Sequence, residues 1–186
     1  MTDRSKHYIV VSALLALAAI ASVAILLGND SDTAAAVVEP EQRRAFGVLR
    51  HDPEPPPPAL AEAMEEVVEG PGIQLRTDGA QKVRTRIGID VWVVPGAGVV
   101  CVIGGSPLVA GCDTTERTIR RGMSAVAIVP SPLDPAKKRY LLFGIAPDGV
   151  PKVAIRTDGG RRAEAETVYN VYSYEAPTMI HARLLR

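Results

Sequence analysis

The sequence predicts a membrane-anchored, mainly-β protein. The expected fold is an N-terminal transmembrane helix followed by an extracytoplasmic antiparallel sandwich or barrel-like sheet with one or two short helices. Three observations predict it. Residues 8–27 form an uncharged apolar run of 20 residues. A proline-rich stretch ends at Pro58, as a spacer would. From residue 73 onward, short β-branched runs alternate with Gly, Pro and Asp turn signals.

Composition agrees. The 186 residues carry 21 basic and 21 acidic side chains, a formal net charge of zero. That excludes a strongly basic nucleic-acid binder, and no nucleic-acid partner is expected. Hydrophobic residues make up 47% and charged residues 23%, which is globular rather than disordered. Aromatics are only 4%, so Val, Ile, Leu and Ala must build the core.

Residues 1–7 read as a short cytoplasmic tail. The run at 8–27 would be about 30 Å long as a helix, the hydrocarbon thickness of a bilayer, and makes the bilayer itself a partner. Helical backbone satisfies its own polar groups, so such a run can cross lipid. Arg4 and Lys6 precede it; Asp30 and Asp32 follow it, and the next basic residue is Arg43. The positive-inside rule then puts the N-terminus in the cytoplasm and the rest outside. The rival reading is a signal peptide cleaved near Ala34, Ala35 and Ala36, giving a secreted protein. Its apolar region would be shorter than this run, typically about 7–15 residues, so an uncleaved anchor is preferred. A tail of seven residues is too short to carry an output module.

Residues 28–58 read as a linker or stalk. Four consecutive prolines, Pro55 to Pro58, favour polyproline II, a stiff rod of about 3.1 Å per residue. Phe46, Val48 and Leu49 interrupt the polar spacer and suggest a short extended piece that packs on the domain. The outer domain is then residues 59–186. A helix is expected over 59–69, with Pro at its start and Gly70-Pro71 at its end. Leu60, Met64, Val67 and Val68 make one apolar stripe suited to core packing.

Strands are expected at 89–95, 98–104, 124–129, 140–145 and 150–155. Another is expected within 164–174, as one half-exposed strand or a hairpin about Asn170, and a last at 179–185. In the first of these, Val91 and Val93 alternate against Trp92 and Val94. A short helix is expected at 114–121. Lys82, Arg84 and Arg86 would share one strand face opposite Val83, Thr85 and Ile87, most simply as a solvated face. The segment 73–79 echoes 153–159, each ending Arg-Thr-Asp-Gly, and reads as convergence on a favoured turn.

Several short motifs add a resemblance. They are Val48-Leu49-Arg50, Val93-Val94-Pro95-Gly96, Cys101-Val102, Gly111-Cys112, the run Gly144 to Val153, and Asn170-Val171-Tyr172. In this order the chain resembles a group of uncharacterised actinobacterial extracytoplasmic proteins over residues 46–175. The resemblance implies an exported β-rich domain and brings no catalytic residues.

Cys101 and Cys112 are the only cysteines. Outside the cytoplasm an isolated pair is best read as a disulfide. A working thiol would need an activating imidazole, and His181 is the only candidate in the outer domain. His7, His51 and His181 stand singly, so no zinc set is expected. No phosphate loop, dinucleotide fingerprint or nucleophile elbow is present, and no catalytic, cofactor-binding or metal-binding residue is assigned. The sequence therefore favours a non-enzymatic module that contacts an envelope protein or polymer. The alternative is a cell-envelope enzyme with a dispersed site drawn from Asp113, Asp134 and His181.

Overall fold

The computed structural model describes residues 38–68 and 73–184. The expected tail at 1–7 and anchor at 8–27 lie outside the described residues. Among the described residues, no helix is long and apolar enough to cross a membrane.

The described chain is mainly β, in two antiparallel sheets. The first runs in sequential order: β1 (Gln81–Arg84), β2 (Asp90–Gly96), β3 (Val99–Gly104) and β4 (Val109–Thr114). The second contains β5 (Met123–Pro130), β6 (Lys138–Ile145), β7 (Lys152–Thr157), β8 (Arg162–Val168), β9 (Val171–Ala176) and β10 (Ile180–Leu184). Its order is β10-β7-β8-β9-β6-β5. Helices α1 (Pro40–Ala45), α2 (Pro58–Val67) and α3 (Thr115–Arg121) are short, and 3-10 turns stand at Gly47–Arg50 and Thr77–Gly79.

Period-two alternation sorts the side chains into layers. Val91, Val93, Val100 and Val102 of the first sheet face Ala125, Ala127, Leu141, Phe143, Ile145 and Val171 of the second, forming the central core. The expected alternation in β2 holds, because Trp92 and Val94 point the other way. With Cys101 and Ile103 they meet Met64 of α2, flanked by Leu60, Val67 and Val68. The predicted apolar stripe of α2 is thus a core face. On the second sheet, Leu142, Tyr172 and Ala176 point away from the central core. They pack on Val153, Ile155, Ala165 and Ile180, so β7, β8 and β10 curl back as a half-barrel. β8 and β9 pair only at Thr167↔Tyr172 and Val168↔Val171, which lets the two halves of the sheet diverge. Their turn is Tyr169-Asn170, with φ 48° and 65°, two successive left-handed residues as a tight hairpin requires. The hairpin reading of 164–174 is therefore the observed one.

Gly144 shows how closely the layers approach. Tyr172 lies opposite it on β9 and donates a 3.0 Å hydrogen bond to the Met123 carbonyl. A side chain at Gly144 would run into both that carbonyl and the phenol. Burial drives the Tyr172 phenol well above its ordinary pKa.

The stalk reading of 28–58 needs correction from residue 38 onward. Val38, Phe46, Val48 and Leu49 are buried in the central core. Residues 47–50 form a 3-10 turn rather than an extended piece. The polyproline stretch is extended, with Pro57 at φ −54° and ψ 148°, but it is docked rather than free. The Glu54 N–H donates to the Ala80 carbonyl at 2.9 Å. Gln81 Nε2 donates to the His51 and Asp52 carbonyls at 2.9 and 2.7 Å. Among the described residues, 38–58 belong to the folded unit rather than to a free stalk.

A second miss is β4. The Gly-rich stretch 105–111 carries no strand pattern in the sequence. Yet β3 and β4 form a hairpin with Cys101 directly opposite Cys112. The two are disulfide-bonded, with Cα atoms 4.2 Å apart. A closed loop this short contributes about 2–3 kcal/mol when unstrained. The Arg-Thr-Asp-Gly echo resolves into two different turns. Thr77–Gly79 is a 3-10 turn, whereas residues 157–161 close the β7–β8 hairpin.

Candidate functional site

The site is the outward face of β8, β7 and β10. Each strand alternates, and each turns its apolar residues inward. In β7, Val153, Ile155 and Thr157 are buried while Lys152 and Arg156 are exposed. In β8, Arg162, Glu164 and Glu166 point out. In β10, His181 and Arg183 are exposed beside buried Ile180. Antiparallel register then aligns these side chains in rungs. Arg156 is paired with Arg162 on one side and His181 on the other. The next outward rung is Glu164, Ala154 and Arg183. The small side chain of Ala154 leaves a shallow groove of about 680 Å³ whose charged lining is Arg156, Arg162, Glu164, His181 and Arg183.

The charges on this face are unevenly matched. Glu164 is held by Lys152 at 2.9 Å, and that hydrogen bond is the main reason the Lys152 ammonium pKa lies above its ordinary value. His181 Nε2 lies 2.9 Å from Asp158 Oδ1. Arg156, Arg162 and Arg183 enter no ion pair or side-chain hydrogen bond among the described residues. Like charges directly opposite on neighbouring strands are destabilising, so the Arg156–Arg162 pair is an electrostatic cost the fold carries.

The basic points that the sequence singled out behave differently. Lys82 and Arg84 share an exposed face of β1, as expected, but Arg86 lies in the turn beyond it. Both strand residues pair with Asp90, at 3.2 and 3.0 Å. The Arg84 hydrogen bond, chief among the causes, holds the Asp90 carboxyl below its ordinary pKa. Arg86 pairs with Glu166 at 2.5 Å. Arg117, Lys137 and Arg139 pair with Asp113, Asp134 and Glu175.

Asp113, Asp134 and His181 are not brought together. Asp113 is 3.5 Å from Arg117, Asp134 is 3.2 Å from Lys137, and His181 is tied to Asp158. The groove lined by His181 includes neither of the two aspartates. Cys101 is fully buried and disulfide-bonded, so it offers no thiol. Among the described residues no group of three or more His, Cys, Asp or Glu is placed to hold a metal ion.

No protein-family model, curated protein or solved structure matches this chain. The functional reading therefore rests on the chain's own geometry. The sequence reading missed Arg156, Arg162 and Arg183 because no two of them share a strand; only cross-strand register makes them neighbours.

Proposed function

We propose that the protein is a single-pass membrane-anchored module, N-terminus cytoplasmic and C-terminus outside. Its β-rich domain contacts an envelope protein or polymer without catalysing a reaction. The observation that carries this reading is the 20-residue uncharged run at 8–27 with Arg4 and Lys6 on its N-terminal side only. The Cys101–Cys112 disulfide supports it, since such bonds persist in oxidising compartments. The open sheet face, with Arg156, Arg162, His181 and Arg183 exposed along it, supports a contact surface.

The test is accessibility. Protease added to intact protoplasts is expected to remove a C-terminal tag while the protein stays with the membrane. A protected tag would overturn the topology. A soluble product whose N-terminus, read by Edman sequencing, lies near Ala36 would replace the anchor with a cleaved signal.

A further inference from the structure

We propose that the outward face of β7, β8 and β10 is a binding site for a linear phosphate-bearing polymer, gripped by Arg156, Arg162 and Arg183. This names a partner chemistry for the contact module proposed above and rests on that reading only for where the polymer would be met.

Three observations support it. First, the guanidinium groups are unspent. Arg156 and Arg162 are cross-strand partners, and Arg183 lies on the neighbouring rung, beside Ala154. None has an anionic partner among the described residues, although Glu164 and Asp158 stand on the same three strands and their turn. Those two carboxylates are engaged by Lys152 and His181, so they do not discharge the arginines. An anion spanning the rung would turn a repulsive pair into a shared site, and guanidinium presents the planar fork that matches phosphate.

Second, the shape suits a chain. The depression over Ala154 runs across the three strands and is open, about 680 Å³ in volume, with exposed Arg156, Arg162 and Arg183 along its borders and, among them, Glu164, which Lys152 engages. Third, the lining discriminates among polyanions. It contains no Trp, Tyr or Phe, so bases of a single-stranded nucleic acid would find no stacking platform. Among the described residues the exposed large apolar side chains are Ile128, Leu133 and Tyr169, and none of them lines this groove. A bilayer surface would therefore gain headgroup contacts but no apolar insertion there. A flexible, non-aromatic polyphosphate or polyphosphodiester satisfies both restrictions.

The experiment uses the full chain in non-ionic detergent and fluorescently labelled long-chain inorganic polyphosphate, read by anisotropy over a salt series. Binding is expected, weakening as salt rises because counterions are released from the polymer. The triple variant Arg156→Gln/Arg162→Gln/Arg183→Gln is expected to lose about tenfold or more in affinity and to flatten the salt dependence. A charge-matched triple on α3, Arg117→Gln/Arg120→Gln/Arg121→Gln, is expected to bind as the parent does. Folding is monitored by thermal melts, and Arg162→Gln alone is expected to melt no lower than the parent, since it removes the like-charged pair.

Absence of polyphosphate binding would overturn the proposal. So would equal losses in the two triples, which would mean attraction by net charge alone. Anionic phospholipid vesicles and a single-stranded oligonucleotide are run alongside; preferential binding to either would replace the polymer with that partner. None of these outcomes depends on protease accessibility in protoplasts, so failure here and failure of the topology are separately visible.

Discussion

Gln42 is fully buried, and its carboxamide holds the N-terminal segment to the rest of the fold. Its Nε2 lies 3.0 Å from the Gly96 carbonyl, 2.8 Å from the Val99 carbonyl and 3.1 Å from Thr115 Oγ1, so two hydrogens serve three acceptors. Its Oε1 accepts the Glu39 N–H at 3.3 Å. One side chain therefore joins α1 to the β2–β3 hairpin and to the first residue of α3. Gln42→Leu keeps the volume but strands those acceptors, and is expected to cost about 1–3 kcal/mol. Gln42→Glu is expected to cost more at neutral pH, because a carboxylate would face three oxygens in a buried site. Such a carboxyl titrates above its unfolded value of about 4.3. The extra penalty is therefore absent at pH values below that and grows as pH rises toward the folded pKa. Urea midpoints of the two variants at pH 4 and pH 7 check this. A Glu variant no worse than the Leu variant at pH 7 would remove the donor role assigned to Nε2.

At the scale of elements, residues 47–50 are latched to two turns of the second sheet. The Gly47 N–H donates to Asp148 Oδ1 at 2.8 Å, and the Val48 N–H donates to Asn170 Oδ1 at 2.9 Å. Arg50 pairs with Asp148 Oδ2 at 2.8 Å, and Asn170 Nδ2 donates to Asp148 Oδ1 at 2.9 Å. Burial alone would raise the Asp148 carboxyl pKa. The hydrogen bonds from Asn170, Gly47 and Arg50, with the charge of Arg50, outweigh burial and hold it below its ordinary value. A depressed carboxyl stabilises the fold above its unfolded pKa of about 3.9 and loses that contribution as pH falls through the folded value. Asp148→Asn is thus expected to lower the urea midpoint at pH 7, with the gap to the parent narrowing as pH falls below about 3.9. A gap that stays constant over that fall in pH would contradict the latch. The same latch explains a limit of the sequence reading. Phe46, Val48 and Leu49 announced a packing segment, but the 3-10 turn is set by acceptors about a hundred residues away, Asp148 and Asn170. Strands β2, β3 and β6 were legible because both of their faces are apolar. β4, Val-Ala-Gly-Cys-Asp-Thr, has neither alternation nor a continuous apolar run and is only half-buried, so it left no signal. The basic groove was illegible for a related reason. Spacing within one strand drew attention to Lys82, Arg84 and Arg86, which Asp90 and Glu166 neutralise, while register alone assembles Arg156, Arg162 and Arg183.

For the molecule as a whole, the decisive question is where the cooperative unit begins. Composition marks 28–58 as one spacer, since prolines and charges dominate it. The core disagrees, because Val38, Phe46, Val48 and Leu49 are each at most 4% exposed and pack with residues of both sheets. Four such side chains are about 1.5–3 kcal/mol apiece when fully buried. That sum is comparable to the whole net stability of a typical domain, roughly 5–15 kcal/mol. A chain beginning at residue 59 would also lose Gln42, the Asp148 latch and the 51–54 segment along β1. Exposing the central core in this way should give a compact state without fixed packing, rather than a smaller native domain. We therefore expect chains 38–186 and 59–186 to differ sharply. The longer one should unfold in a single cooperative transition. The shorter one should show weak near-ultraviolet dichroism, bind a hydrophobic dye and melt without a clear midpoint. Equal cooperativity in the two would mean that residues 38–58 merely decorate the sandwich, and the boundary would return to 59.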